Sequence, residues 1–319
     1  VIRILTLIAA GIVMTIAALW LGTLIGTFAV ERSYPQQGIS VQVAGGALNV
    51  LDIGPRDAPG PPIVMIHGAT STLGTMRVPV GDELAKRHRV ILIDRPGHGW
   101  SARDSLHRSS PAEQAAMIDA ALEQIGVSQA IIVVHSLAGA LGALMPLNHP
   151  KRTAGLVMLA PVLYPWPGGV GDYNEVVTTP VIGPLLAHTI TLPVGLLLLK
   201  PGVNAAFQPQ TPPPNYIETT NTPLVLRPRN FLANAWDLVT LKAAVIEQSP
   251  RYGNIRVPVT LIAGDADTIV STDIHSRRFA ATVPAAKLIV LPGVGHMVPN
   301  AATELVLREI EEMQAAVTR

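Results

Sequence analysis

The chain contains no cysteine. Disulfide cross-links, thiolate zinc sites and a cysteine nucleophile are thereby excluded. Charge is scarce too: Asp, Glu, Lys and Arg make up 14% of the 319 residues, about half the ordinary share. The formal net charge is +1, and neither sign gathers into a run or stripe, so nothing points to a nucleic-acid partner. No grouping of His, Asp and Glu has metal-ligand spacing, so no metal site is expected. Gly97 and Gly99 do not form a dinucleotide fingerprint, and no cofactor is expected.

Apolar residues fill the space that charge leaves, and they are unevenly spread. From Ile4 to Val30 no residue is charged. As a helix this stretch is about 40 Å long, enough to cross a bilayer core of about 30 Å. Residues 1–32 therefore read as a transmembrane anchor or an uncleaved signal. A cleaved signal, giving a secreted form, is the competing reading. Against it, the run exceeds the usual ~7–15 residues of a signal core, and no small-x-small site precedes Glu31. Arg3 and the terminal amine precede the segment, whereas Glu31 and Arg32 offset each other after it. That bias places the rest of the chain on the periplasmic, extracytoplasmic side.

After a linker at 33–38, short apolar runs alternate with helical patterns. Ile39–Val43 and Leu48–Ile53 read as a hairpin turning at Gly45–Gly46. Pro62–Ile66, Val90–Asp94, Ala130–Val134, Ala154–Leu159, Val257–Ala263 and Lys287–Leu291 are brief uninterrupted runs, as strands buried on both faces require. Ser110-Pro111-Ala112-Glu113 has the form of a capping box, and the helix it opens should end at Gly126. Leu137–Leu147 and Glu304–Ala316 supply two further helices. Alternating strands and helices imply an α/β fold with a mostly parallel sheet covered on both faces. Residues 162–250 interrupt the alternation and hold about half of the 28 prolines. They read as a helical cap inserted between two parts of a core, 39–161 and 251–319. Val181–Leu199 raises the question of a second span, but a span there would separate the residues considered next.

A buried strand runs into a helix through Val134-His135-Ser136-Leu137-Ala138. Such a sharp turn pushes a serine Oγ out at the carboxyl end of a strand and needs small residues two places to either side. Ala138 fits; Val134 stands where glycine is usual. Taken alone, a serine that merely caps a helix is an equal reading. Three more loops alter that balance. His67-Gly68-Ala69-Thr70 follows a strand and can aim a backbone N–H, from Ala69, at an oxyanion, with the N–H of Leu137 as partner donor. Gly264-Asp265-Ala266-Asp267 brings a carboxylate to the same sheet edge, and Gly293-Val294-Gly295-His296 brings an imidazole. A serine hydroxyl needs a base to become nucleophilic, and the base needs a carboxylate to fix its tautomer. Among the other histidines, His135 should pack, His98 should be structural, and His88, His107, His149 and His275 should lie at the surface.

From Ile39 onward the sequence resembles the α/β-hydrolase superfamily. Asp94-Arg95-Pro96-Gly97-His98-Gly99-Trp100-Ser101 looks like the superfamily's loop after its fourth strand. The superfamily's Gly-x-x-Asp falls on Gly264 and Asp267, its final Gly-His on Gly295 and His296, and its oxyanion loop on His67-Gly68. The resemblance implies a catalytic triad of Ser136, Asp267 and His296, an oxyanion hole from Ala69 and Leu137, and no cofactor. Serine at the elbow separates the chain from haloalkane dehalogenases and epoxide hydrolases, which resemble it but carry aspartate there. The implied activity is hydrolysis of a lipophilic carboxylic ester through an acyl-enzyme, with Trp166, Tyr164 and Phe207 as candidate lining residues. The same triad also serves haloperoxidases or perhydrolases, carbon–carbon bond hydrolases, amidases or peptidases, and acyltransferases. A membrane-tethered binding module without catalysis is a third reading.

Overall fold

A computed structural model describes residues 1–318. The strands are β1 (Ile39–Val43), β2 (Gly46–Ile53), β3 (Ile63–Ile66), β4 (Val90–Ile93), β5 (Ala102–Arg103), β6 (Ala130–His135), β7 (Thr153–Leu159), β8 (Val259–Gly264) and β9 (Ala286–Leu291). The longer helices are α1 (Ile2–Ser33), α2 (Pro111–Gln124), α3 (Ala138–Asn148), α4 (Asp172–Val177), α5 (Ile182–Thr189), α6 (Thr191–Phe207), α7 (Pro228–Gln248) and α8 (Thr303–Thr318). The sheet runs β1-β2-β4-β3-β6-β7-β8-β9, with the two-residue β5 beside β2. β1 and β2 pair antiparallel, as do β2 and β4, and every pairing from β4 to β9 is parallel.

The central strands are buried at every position, and their period of two splits them between two cores. Val64, Ile66, Ile132, Val134, Leu156 and Met158 face a layer that includes Ile118 and Leu122 of α2 and Leu141 and Leu144 of α3. Ile63, Met65, Ile131, Val133, Val157 and Leu159 face the other layer, with Val306, Ile310 and Met313 of α8. Each such Leu or Ile contributes roughly 1.5–3 kcal/mol by leaving water. The hydrophobic effect therefore requires both faces to be covered, as the uninterrupted runs imply. At α2 the Ser110 Oγ accepts the Glu113 N–H (3.2 Å), Pro111 opens the helix, and Gly126 leaves it at φ +73°.

Between β7 and β8 the chain forms α4 to α7. The apolar stretch from Val181 is not one straight helix: α5 and α6 meet at 70° around Ile190. Pro193 explains the break. Its ring would clash with the Thr189 carbonyl in a continuous helix, and it has no N–H to give that carbonyl. Thr189 O accepts instead from Thr23 Oγ1 of α1 (3.0 Å).

Candidate active site

Sheet order decides what can meet. β3 and β6 are neighbours, so the loop after β3 lies beside the turn after β6. Gly68 makes the approach possible: a Cβ there would stand 2.9 Å from Ser136 Cβ. Ser136 adopts φ +56°, a strained value for a residue with a side chain. Its backbone is held on both sides, with its N–H given to Leu159 O (3.0 Å) and its carbonyl accepting from Gly139 and Val162. β8 and β9 are also neighbours, so Asp267 and the loop bearing His296 start side by side. That loop must return across β8 and β7 toward Ser136, roughly 10–15 Å at strand spacing. Gly264, at the end of β8, lets it pass, because a Cβ there would collide with the Val294 carbonyl.

The three side chains meet. His296 Nε2 lies 2.9 Å from Ser136 Oγ, and His296 Nδ1 lies 2.8 Å from Asp267 Oδ2. Asp267 accepts with its other oxygen from the N–H groups of Ile269 (2.8 Å) and Val270 (2.9 Å). Burial by itself would raise the Asp267 pKa, but the hydrogen bond and charge of His296 and the two N–H donors hold it below the usual carboxylate value. An ionised Asp267 keeps the proton on Nδ1 and leaves Nε2 free to accept from the serine hydroxyl. Asp265 has a different role. Its Oδ1 accepts the Gly293 N–H (2.6 Å), which ties the aspartate loop to the histidine loop.

Among the described residues, neither the Ala69 N–H nor the Leu137 N–H has an acceptor. Both belong to segments that border Ser136. A network that the sequence reading missed braces the loop bearing Ala69. Arg95 donates from Nε to His67 O (3.1 Å) and from Nη2 to Gly68 O (3.1 Å). Its Nη1 donates to Asp237 of α7, and the other Asp237 oxygen accepts from Arg103. Asn234, one turn earlier on α7, accepts the Thr70 N–H (2.6 Å). The inserted helix thus fixes the loop beside Ser136 at two points. A signal existed in the sequence: Asp237 is the one acidic residue between Pro228 and Val245 in a chain poor in charge. Asp237→Ala would leave two buried guanidinium groups unpaired, and a loss of about 3–5 kcal/mol is expected in chemical denaturation.

The elbow departs from small-residue convention and compensates for it. Val134 is fully buried, and its methyls fill space against Gly142, where a Cβ would stand 2.8 Å from Val134 Cγ1. The side chain that the strand gained is matched by one that the helix lacks. Gly142→Ala should therefore cost about 1–3 kcal/mol by overpacking. Val134→Ala in the same chain should restore part of that loss, with clear non-additivity in a denaturation cycle.

An apolar cluster adjoins the serine through Leu137 and Val162. Leu137, Ala140, Val162, Leu241, Val245 and Val270 form one buried cluster, with Ala69, Trp166 and Leu238 packed against it. Of the candidate lining residues, Trp166 packs against this cluster. Phe207 sits with Tyr216 and Met297, next to the histidine loop. Tyr164 does not line this region. Its ring packs on Tyr252 in the core below the sheet, and its hydroxyl meets Thr282 Oγ1 (3.0 Å), because Tyr252, Phe279 and Leu163 form an apolar layer there. An open depression of about 340 Å³, bounded by Pro146, Pro150, Arg251 and Arg256, lies at the opposite end of the strands from Ser136.

The histidines need one correction. His275 is buried, not superficial: its Nδ1 accepts the N–H groups of Leu163 and Tyr164 (both 3.1 Å), and burial takes its pKa down to about 4. His135 packs as expected. It lies 4.9 Å, ring to ring, from His296 and bonds through Nε2 to the His296 carbonyl (3.2 Å). Burial, with the neighbouring His296, lowers its pKa to about 3, so it is a neutral brace.

A strand–serine–helix turn, two loops converging on it from one side and an acid–imidazole pair from the other define an architecture, and the sequence matches it. Residues 61–299 match the α/β-hydrolase fold family, and the chain belongs to that family. Among curated proteins it is 26% identical to a 2-hydroxy-6-oxo-6-phenylhexa-2,4-dienoate hydrolase from Burkholderia cepacia, over 74% of this chain and 82% of that one. It is also 26% identical to the magnesium-chelatase 30 kDa subunit of Rhodobacter capsulatus, over 86% of this chain and 94% of that one. Among solved structures, the enol-lactonase from Burkholderia xenovorans superposes with a TM-score of 0.66 at 18% identity, covering 86% of this chain and 99% of the other. The fold is shared, and the relatives support a hydrolase acting on a small molecule.

Proposed function

We propose that the chain is a serine hydrolase that cleaves a lipophilic carboxylic ester through an acyl-enzyme. Ser136 is the nucleophile, His296 the general base and then acid, and Asp267 the group that orients the imidazole. The N–H groups of Ala69 and Leu137 receive the oxyanion. The unbroken hydrogen-bond path Ser136–His296–Asp267 carries this reading. In the first half-reaction Ser136 Oγ bonds to the acyl carbon as its proton passes to His296 Nε2. The tetrahedral intermediate then collapses, and Nε2 returns that proton to the departing alcohol. Water repeats the sequence to free the acid and regenerate the serine.

The dienoate hydrolases among the relatives suggest a second reading, cleavage of a carbon–carbon bond in an acidic substrate by the same residues. The apolar wall favours the ester. An anionic substrate needs a cation facing the nucleophile, whereas the cluster beside Ser136 is aliphatic and the buried Arg95 and Arg103 are bound to Asp237. Rates on p-nitrophenyl esters of increasing acyl length, set against a 2-hydroxy-6-oxo dienoate, test the choice. Ester rates that rise with chain length support the proposal; turnover of the dienoate alone overturns it. A fluorophosphonate probe that leaves the folded protein unlabelled would instead favour a binding module. We place α1 in the membrane as an anchor, with the hydrolase domain on the extracytoplasmic side. Its support is a helix apolar and long enough to cross a bilayer.

A further inference from the structure

The helical insertion carries a second apolar surface whose position is fixed by α1. The corner between α5 and α6 is pressed against the last turns of α1. Thr23 Oγ1 bonds to Thr189 O, a Cβ on Gly26 would collide with Leu192, and Val30 packs with Leu192 and Leu226. Before the corner, Ile2 to Gly22 is exposed throughout and covers about 30 Å, the thickness of a bilayer core. The corner therefore sits where the span leaves the hydrocarbon. At that height α1 still exposes Leu24, Ile25 and Phe28 (52%, 60% and 65%) on the side turned from the insertion.

The insertion presents the same kind of surface beside them. Ile182 and Leu185 of α5 are exposed, as are Val194, Leu197 and Leu198 of α6, with Leu197 at 78%. Residues 194, 197 and 198 share one helical face. Taken together, the bent pair is apolar enough to enter a bilayer as a re-entrant element. Charge is placed to match: Lys200 follows the apolar face on α6, and Arg32 and Arg229 lie on the domain side of the corner, with Glu31 bound to Arg227 (2.8 Å). Basic and amphipathic side chains occupy the head-group layer in this arrangement.

We infer that the α5–α6 corner is a second membrane contact, with Ile182, Leu185, Val194, Leu197 and Leu198 seated in the outer layer of the bilayer beside α1. The inference rests on α1 being a membrane span. Its consequence reaches the site. α6 runs about 25 Å from the corner to Phe207. Phe207 packs on Met297, and just beyond it Gln210 accepts the Gly295 N–H (2.9 Å) and donates to Gly293 O (2.8 Å). One helix thus joins the lipid face to the loop that holds His296, which suits a site supplied with lipophilic substrate from the bilayer.

The absence of cysteine makes the test direct. Single-cysteine variants of the full chain, at Ile182 and Leu197, would carry an environment-sensitive fluorophore in phosphatidylcholine vesicles containing doxyl-labelled lipid. Ala9→Cys and Phe28→Cys report on α1, and Lys151→Cys, at the far end of the strands, reports on water. A melting temperature equal to that of the parent chain shows that each variant is folded. Quenching at 182 and 197 matching that at Phe28, and several-fold above that at Lys151, is expected. Quenching at Ala9 and Phe28 with none at 182 and 197 would leave the span standing and overturn the second contact. No quenching at Ala9 would remove both. Protection of 182 and 197 that grows with protein concentration, without quenching by lipid, would make the face a contact between copies and overturn the inference.

Discussion

Ser136→Ala is expected to lower ester turnover by about 10⁴–10⁶-fold, with little change in KM or thermal stability. The hydroxyl is the only atom removed, and it lies against Gly68 and His296 in a turn whose backbone bonds do not involve it. Residual activity would come from the two free N–H groups and the apolar wall acting on bound substrate and water. Asp267→Asn should cost about 10⁴-fold for a different reason. Its amide oxygen can still accept from Ile269 and Val270, which turns the NH₂ group toward His296 Nδ1. The imidazole must then accept at Nδ1 and carry its proton on Nε2, where it opposes the serine hydroxyl instead of receiving its proton. Both variants are read by kcat on a p-nitrophenyl ester and by melting temperature. If Ser136→Ala keeps more than a hundredth of the wild-type kcat, the nucleophile is elsewhere and the ester mechanism falls.

Much of this site was legible because it is built from loops that follow strands. Uninterrupted apolar runs mark the strands of the sheet. These runs are buried on both faces except for Lys287–Leu291, which lies partly exposed because β9 is an edge strand with a neighbour on one side only. Residues just after such runs share one sheet edge. Ser136, Asp267 and His296 each occupy such a place, so their meeting follows from strand order. Side chains that act through another element were not legible. Val134 looked like a defect in the elbow because its partner, Gly142, lies eight residues on and has meaning only once α3 is laid against β6. His275 is a polar residue in unremarkable surroundings, and although Asp237 stands out as a lone acid in its helix, only packing reveals what the atoms of either bond to. Tyr164 and Trp166 stand two residues apart in a loop without regular periodicity. Nothing in the sequence indicates that one turns into the core and the other packs against the cluster of Leu137, Val162 and Leu241. The bend between α5 and α6 was marked by Pro193, yet hydropathy alone makes the pair one run.

Mild acid should destabilise the domain through its buried histidines. Four histidines are buried and neutral in the native fold. Burial holds His67 and His98 well below the ordinary imidazole value, with Arg95 as a further cause for both. His135 is lowered to about 3 and His275 to about 4 by the same desolvation. Two of the four have a ring nitrogen committed as an acceptor, His67 to the Arg95 N–H and His275 to two N–H groups, and protonation would break those bonds. In the unfolded chain all four titrate near 6.5. As pH falls below that value the unfolded state takes up protons that the native state cannot, so stability falls with pH. At pH 5.5 each histidine has given up about 1.4 kcal/mol, and the four together about 6 kcal/mol, comparable with the whole stability of many domains. Asp267, depressed below its usual value, adds a loss in the same direction only at still lower pH, whereas Asp94, raised by burial, opposes the loss as pH falls through its raised value. Denaturant unfolding in detergent at pH 8 and pH 5.5 should show this drop. His275→Gln keeps a side-chain acceptor for Leu163 and Tyr164 while removing the titration. It should flatten the pH dependence by about one proton, about 1.4 kcal/mol per pH unit. Equal stability at the two pH values would mean that the buried rings accept protons in place, and the packing described around them would be wrong.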